Sequence, residues 1–420
     1  MSVDLVVLGL GYVGLPLAKE AVASGLNVLG FDAYETVVNG LNSGRSHVDD
    51  LADADIAAMQ AKGFRATANL EDLRGAKAAV ICVPTPLSED GGPDLAAVIA
   101  ATETISKVIE PGMLVVLEST TYPGTTEDVV KPILERGGLR AGIDFHLAFS
   151  PERIDPGNAK YGMRNTPKVV GGIDTGSTDR AADLYGRFVD TVVRASGTRE
   201  AETSKLLENT YRHVNIALVN EMAKFCHDLG IDLWDVINLA KTKPFGFQAF
   251  YPGPGVGGHC IPIDPNYLSH RVKTELGYSF RFVELAQEIN SAMPAYIVQR
   301  SQDLLNDDGK ALKGAKVLLL GVTYKPDIAD QRESPARPLG VALLAKGADL
   351  SFHDPHVKTW SLGDDALEQV TDLDAAIAQS DLVILVQNHD SYNPDALAAA
   401  ATTFFDTRGV TAAAGPAHRL

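Results

Sequence analysis

The densest chemistry in the chain lies in one loop, Tyr251-Pro-Gly-Pro-Gly-Val-Gly-Gly-His259-Cys260-Ile-Pro-Ile-Asp264-Pro265. Its four glycines would let the backbone approach a ligand without interference from a Cβ. A cysteine presented at the end of such a loop can act as a thiolate nucleophile once neighbouring positive charge lowers its pKa. Asp264, four residues on, can serve as a base or fix a water. The other cysteines, Cys82 in a strand-like run and Cys226 in a helical one, read as small packing residues. His259 and Cys260 could pair on a metal, but no second ligand cluster stands out, so no metal is expected.

A second constellation is Gly9-Leu10-Gly11-Tyr12-Val13-Gly14, a G-x-G-x-x-G between an apolar run and a helical pattern. The glycines permit a tight turn, close approach of a pyrophosphate and close helix–sheet packing. The N–H groups at the helix start then face the phosphate. A second apolar run ends at Asp32, at the spacing of a ribose ligand. Its carboxylate would accept from both ribose hydroxyls and repel a 2′-phosphate, which favours NAD over NADP. A βα turn in a fold that has lost its cofactor would share the glycine pattern.

The elements that must position these residues fall into three blocks. Up to about residue 200, strand-like runs (Val3 to Leu8, Asn27 to Phe31, Ala78 to Val83, Leu114 to Glu118, His146 to Ser150) alternate with helix-length segments. That alternation predicts a parallel, doubly wound sheet. Glu200 to Leu229 has no proline and stops at Gly230, so it predicts one long helix of about 45 Å at about 1.5 Å per residue. Further helix is expected over Leu233 to Thr242 and around Arg281 to Met293, with the loop Pro244 to Pro265 between them. A second α/β unit begins at Lys313, with strands expected over Ala315 to Gly321, Ala348 to His353, Asp381 to Val386 and Thr403 to Asp406, and a frayed tail from Ala412 to Leu420. The fold class is therefore α/β: an N-terminal Rossmann NAD-binding domain (1–199), a central helical region with one long helix (200–305) and a C-terminal Rossmann-like α/β domain (306–420).

Composition narrows the partners. The 420 residues carry 37 Lys and Arg against 54 Asp and Glu, a formal charge of −17. That argues against a general nucleic-acid binder and against an electrostatic hold on anionic lipid. No apolar stretch approaches the ~18 residues of a membrane span. The N-terminus enters an apolar strand without a basic leader, so a cytoplasmic protein is expected.

Several further motifs carry a resemblance. GLGYVGLP (Gly9 to Pro16), VPTP (Val83 to Pro86), EST (Glu118 to Thr120), FSPER (Phe149 to Arg153), Lys205 with Asn209, GGHCIPID (Gly257 to Asp264) and YKPDIADQRESP (Tyr324 to Pro335) follow one another across all three blocks. In this order they resemble the UDP-glucose/GDP-mannose dehydrogenase family over nearly the full length. NTYRHVNIALVNE (Asn209 to Glu221) and PGPGVGGHCIPIDP look most like the branch oxidising UDP-N-acetylglucosamine or UDP-N-acetylmannosamine at C6. Pro156 stands where the glucose branch typically carries a second glutamate, which also favours the acetamido branch. A UDP-glucose 6-dehydrogenase stays open, as do a simple two-electron dehydrogenase and a non-catalytic homologue.

The resemblance implies a two-fold oxidation of a primary alcohol to a carboxylate with two NAD, in service of polysaccharide biosynthesis. It makes Cys260 the nucleophile that captures the intermediate aldehyde. Glu152 becomes the general acid/base of the covalent steps, and Thr120 the hydroxyl that helps hold water or substrate. Lys205 and Asn209, four apart, share a helix face and can aim a cation and an amide at a developing oxyanion. Pro84, Thr85, Thr120 and Arg332 join Gly9, Gly11, Tyr12, Val13, Gly14 and Asp32 on the cofactor side. Arg153, Arg212, Gly257 and Lys325 join Glu152, Lys205 and Asn209 around the UDP-sugar, with Arg281 a weaker candidate; Arg212 and Arg281 could equally be structural ion pairs. A homodimer through the middle helices is also implied.

Overall fold

The computed structural model describes residues 3–48, 51–86, 92–154, 158, 160–258, 261, 263–363 and 365–420. The Cα framework divides into two compact units, Met1–Glu208 with Asn266–Gly277, and Asn209–Pro265 with Tyr278–Leu420.

Among the described residues of the first unit, eight strands form one sheet: β1 (Leu5–Leu8), β2 (Val28–Phe31), β3 (Arg65–Thr67), β4 (Ala78–Ile81), β5 (Leu114–Leu117), β6 (His146–Phe149), β7 (Lys168–Gly172) and β8 (Val192–Arg194). Their order is β3-β2-β1-β4-β5-β6-β7-β8. Leu5 to Leu8, Ala78 to Ile81 and Leu114 to Leu117 are buried throughout, as expected of strands covered by helices on both faces. The parallel register sets Leu8 beside Phe31 and Ile81, Ile81 beside Leu117 and Leu117 beside Phe149. Gly9, Asp32, Cys82, Glu118 and Ser150 therefore emerge along one edge of the sheet. The order reverses at β1, between β2 and β4, and that switch point is where open α/β sheets take ligands.

The strands expected from the sequence, β1, β2, β4, β5 and β6, all run parallel, and one further strand departs from them. β7 runs antiparallel to β6, pairing Ala148 with Gly172 and Phe149 with Gly171. The link from Ser150 to Pro167 contains no helix among its described residues, so the chain has no crossover to return it parallel. β7 consequently brings its first residue, Lys168, to the edge where the other strands end.

The long helix, Thr198–Asp228, belongs to the first unit up to Glu208 and to the second from Asn209. The second unit also holds helices Leu233–Ala240, Arg281–Ser291 and Met293–Asp307. Its sheet has β9 (Lys316–Leu320), β10 (Asp349–His353), β13 (Leu382–Leu385), β14 (Phe404–Asp406) and β15 (His418–Arg419) in the order β10-β9-β13-β14-β15, all parallel. β11 (Thr359–Leu362) and β12 (Asp365–Glu368) form a separate hairpin. The order again reverses beside β9, so the loops after β9 and β13 flank a second switch point.

The tail expected to fray is instead docked. His418 and Arg419 extend the sheet beside β14, Leu420 is buried, and Arg419 pairs with Asp232 at 3.0 Å. One more helix, Asp264–Leu276, starts where the sequence suggested the end of a loop. Asp264 in its first turn suits the positive end of the helix dipole, and Pro265 suits the same turn, where an N–H has no partner within the helix.

The glycine-rich loop is tied to the long helix by buried amides. Asn220 accepts from the Gly253 N–H (2.9 Å) and donates to Asn290 Oδ1 (2.9 Å), and Asn290 donates to the His213 carbonyl at 3.2 Å. The Asn290 amide also lies 3.4 Å from His213 Nδ1. Burial pushes His213 from its ordinary value down to about 4. The unfolded chain then binds a proton that the folded one refuses. Stability present above about pH 6.5 is lost as pH falls towards 4, by about 3 kcal/mol. Urea midpoints measured across that range are expected to fall more steeply in the wild type than in His213→Gln.

Candidate active site

In the first unit the nucleotide loop has the geometry a dinucleotide needs. Gly9 has φ 88°, and a Cβ there would sit 2.8 Å from the Cys82 carbonyl oxygen; one on Gly14 would strike the Gly9 carbonyl. A Cβ on Gly11 would meet nothing within 4 Å, leaving open the point of phosphate approach. Tyr12 is exposed, Val13 half-buried, and helix Gly14–Ala23 begins directly after them. Asp32 Oδ2 accepts from the Leu10 N–H (3.0 Å) and Oδ1 from the Tyr34 N–H (3.0 Å). These bonds hold the carboxylate against the glycine loop, with further lone pairs left for a ribose. Asp32→Ser is expected to erode discrimination against NADP by about tenfold or more, read as the ratio of kcat/KM for the two cofactors. Beside this loop Pro84 is exposed, and Thr85 donates to the Thr120 carbonyl at 2.7 Å. The Tyr267 hydroxyl donates to the Thr85 carbonyl.

Further along the same edge, Lys205 Nζ lies 2.5 Å from Thr120 Oγ1, with the lysine only 8% exposed. One turn earlier, buried Glu202 accepts from the N–H groups of Gly124 (2.5 Å) and Thr126 (2.9 Å) and from the Thr126 hydroxyl (2.7 Å). These bonds pin the helix to the segment after Glu118-Ser-Thr. Glu152 is buried, and its Oε1 accepts from the Arg153 (2.7 Å) and Ile154 (2.5 Å) N–H groups. Its Oε2 lies 3.2 Å from Lys168 Nζ, which is 3.1 Å from Glu118 Oε2. Burial works to raise Glu152, but the Lys168 charge, the Ile154 N–H and the Lys205 charge outweigh it and hold the carboxyl below its ordinary range. Arg153 is held by Glu208 (2.8 Å) and the Pro167 carbonyl (2.8 Å). Sequence reasoning missed Lys168. The only signal was a lysine opening an apolar run after proline.

The second unit holds the other candidates. Asn209 donates to Asp264 Oδ2 at 2.6 Å, and both are buried. Cys260 and Pro156 lie outside the described residues. Arg212 and Arg281 are exposed. Two of the loop glycines also have close neighbours within the fold. A Cβ on Gly257 would meet the Glu333 carbonyl and Tyr324 Cβ at 2.8 Å, and one on Gly258 the Tyr324 ring at 2.9 Å. These glycines are needed to pack the loop against Tyr324–Pro335.

That partner segment contains two left-handed non-glycine residues, Asp327 (φ 61°) and Glu333 (φ 51°). Such strain is retained where the surroundings over-determine it. Here the Asp327 N–H donates to His389 Nδ1 (3.0 Å), and His389 Nε2 is 3.0 Å from buried Asp354. Asp327, His356 and His389 lie close enough to suggest a metal trio. Both His389 nitrogens are already engaged, so the trio reads as a loop anchor. Lys325 is half-buried, and Arg332 grips Asp330 in bidentate fashion at 2.8 and 3.0 Å.

Comparison with known proteins agrees with this layout. Residues 3–189 match the NAD-binding domain of the UDP-glucose/GDP-mannose dehydrogenase family, residues 199–292 its central domain and residues 318–413 its UDP-binding domain. A UDP-N-acetyl-D-mannosamine dehydrogenase of Methanococcus maripaludis is 34% identical over 92% of this chain and 86% of its own. A UDP-N-acetyl-D-glucosamine 6-dehydrogenase of Pseudomonas aeruginosa is 36% identical over 88% of this chain and 85% of its own. The solved UDP-D-ManNAc dehydrogenase of Pyrococcus horikoshii superposes with a TM-score of 0.89 at 32% identity, covering 99% of this chain and 98% of that one. The chain belongs to the UDP-glucose/GDP-mannose dehydrogenase family of NAD-dependent oxidoreductases.

Proposed function

We propose that the protein oxidises the C6 alcohol of a UDP-N-acetylhexosamine, UDP-GlcNAc or UDP-ManNAc, to the uronate. The observation that carries this reading is that relatives named for these two sugars match about nine-tenths of the chain. NAD, when bound at Gly9, Gly11, Tyr12, Val13, Gly14, Asp32, Pro84 and Thr85, accepts a hydride in each of two oxidations. Thr120 and Lys205 hold the C6 oxygen, and the ammonium stabilises it as its proton passes to water, with Asp264 as the assigned base. The Cys260 thiolate adds to the resulting aldehyde, and the thiohemiacetal loses the second hydride to become a thioester. Asn209 orients Asp264 by a hydrogen bond, and ionised Glu152 takes the proton of the water that cleaves the thioester, freeing the thiol. Arg153, Arg212, Gly257 and Lys325 are assigned to the sugar nucleotide, with Arg332 on the cofactor side. The chain is assigned three domains, 1–199, 200–305 and 306–420, in a cytoplasmic enzyme; among the described residues no helix is long and apolar enough to cross a membrane.

Homodimerisation is part of the reading. Along the long helix Tyr211, Leu218 and Phe225 are exposed at spacings that share one face. An apolar stripe of this kind fits a second copy of the chain, and light scattering is expected to give twice the 44.7 kDa chain mass. The substrate reading is tested by kcat/KM for UDP-GlcNAc, UDP-ManNAc and UDP-glucose side by side. One of the acetamido sugars should lead. A preference for UDP-glucose of about tenfold, about 1.4 kcal/mol, would overturn the assignment.

A further inference from the structure

The Glu118–Lys168–Glu152 cluster is costly as architecture. The three side chains are 0, 4 and 8% exposed. Burying such ions takes them from water, and a well-packed apolar set of the same volume is often at least as stable. The cluster is also heavily supported. Tyr185 donates to Glu118 Oε1, the Lys168 ammonium lies 5.3 Å from the Tyr185 ring centre, and the Cys82 thiol is 3.9 Å from Glu118 Oε2. Its geometry leaves one carboxylate, Glu152, with Oε1 fixed by two backbone N–H groups and Oε2 facing the ammonium.

We infer that Lys168, anchored from behind by Glu118, is a positioning residue that keeps Glu152 ionised and fixed in orientation for its acid–base work. This rests on the reading of Glu152 given above. The antiparallel turn-back of β7 is what makes it possible. Continuing the register from Phe149 opposite Gly171 places residue 152 opposite residue 168. A parallel β7 would present its other end at this edge.

The charges around Glu152 are Lys168 from β7, Lys205 from the long helix, Glu118 from the end of β5 and neighbouring Arg153, whose guanidinium is occupied by Glu208. Tyr185 and Cys82 stand behind Glu118, and burial drives both well up, so they stay neutral. Burial also raises Glu118 to about 7, against the pull of Lys168. Without the ammonium, burial would act on Glu152 with Lys205 and the two N–H groups opposing it.

The test uses the full-length enzyme with NAD and whichever UDP-sugar leads the panel. Two readouts are followed against pH: the kcat for uronate release, and the infrared carbonyl band of protonated Glu152, isolated by subtracting the Glu152→Gln spectrum. Lys168→Met is expected to move both the acid limb of kcat and the Glu152 titration upward by about one pH unit or more. Lys168→Arg, which keeps the charge, is expected to hold both near their wild-type pH. Lys168→Gln, which removes the charge but keeps a polar side chain beside Glu118, is expected to move both upward and carries the test alone if Lys168→Met does not fold. Limbs and bands that stay at their wild-type pH in folded Lys168→Met or Lys168→Gln would overturn the proposal, even if kcat falls. If Glu152→Gln keeps the wild-type rate, the acid–base reading of Glu152 fails separately, and the infrared titration still reports whether Lys168 sets its ionisation.

Discussion

Cys260→Ser is expected to cut uronate release by roughly a thousandfold or more, while leaving the first hydride transfer in place. The first oxidation needs a bound alcohol, an acceptor and a group that stabilises the oxygen as its proton leaves. None of these is the thiol. The second oxidation is different. An aldehyde has no hydride to give until a nucleophile has added to its carbonyl, and a serine hydroxyl at its ordinary pKa adds poorly. Rapid mixing with excess enzyme should therefore show one NADH per sugar formed quickly and the second lost, with the aldehyde as trapped product. NAD affinity and thermal midpoint should match the wild type. A variant that still releases the acid at the wild-type rate would remove Cys260 from the mechanism.

Lys205→Ala is expected to lower kcat by about 10²–10³-fold with a much smaller change in KM. The ammonium is almost out of water and 2.5 Å from the Thr120 hydroxyl. A charge so placed does little for the neutral alcohol of the ground state and much for an oxygen gaining negative charge. Lys205→Arg should not rescue, because a planar guanidinium cannot reproduce a compact ammonium on the same hydroxyl. Thr120→Val should fall between wild type and Lys205→Ala, since it removes the hydroxyl but leaves the charge. Steady-state kcat and KM for the three variants check the order. A loss confined to KM would reassign Lys205 to binding alone.

Much of this was readable from local pattern. β1, β2, β4, β5 and β6 are short, mostly apolar runs, and the Gly9, Gly11, Gly14 spacing announces a phosphate turn, with Gly9 in the left-handed region and Gly14 too close to the Gly9 carbonyl for a Cβ. The nine strands expected from the sequence all form, with ends trimmed by one or two residues. What stayed hidden depends on partners distant in sequence. Lys168 is a charged residue that should be solvated; it is buried because Glu118 and Glu152 meet it from 50 and 16 positions away. The direction of β7 depends on a connection with no periodicity of its own. The two-residue strand at His418 is too short to show alternation and forms because β14 offers an unpaired edge. The glycine-rich loop was legible as special, but not that Gly257 and Gly258 also clear the way for Tyr324 and Glu333, which lie far away in sequence. Pro265 behind an acidic residue was an available helix-start signal, obscured by the proline-rich loop before it.

The central claim, a four-electron oxidation carried through a covalent adduct, is tested most directly by stoichiometry. NADH is quantified against uronate in one reaction taken to completion with a limiting amount of the leading UDP-sugar. The account predicts two NADH for every uronate and no free aldehyde. One NADH per sugar consumed, with the aldehyde as the released product of the wild-type enzyme, would contradict it.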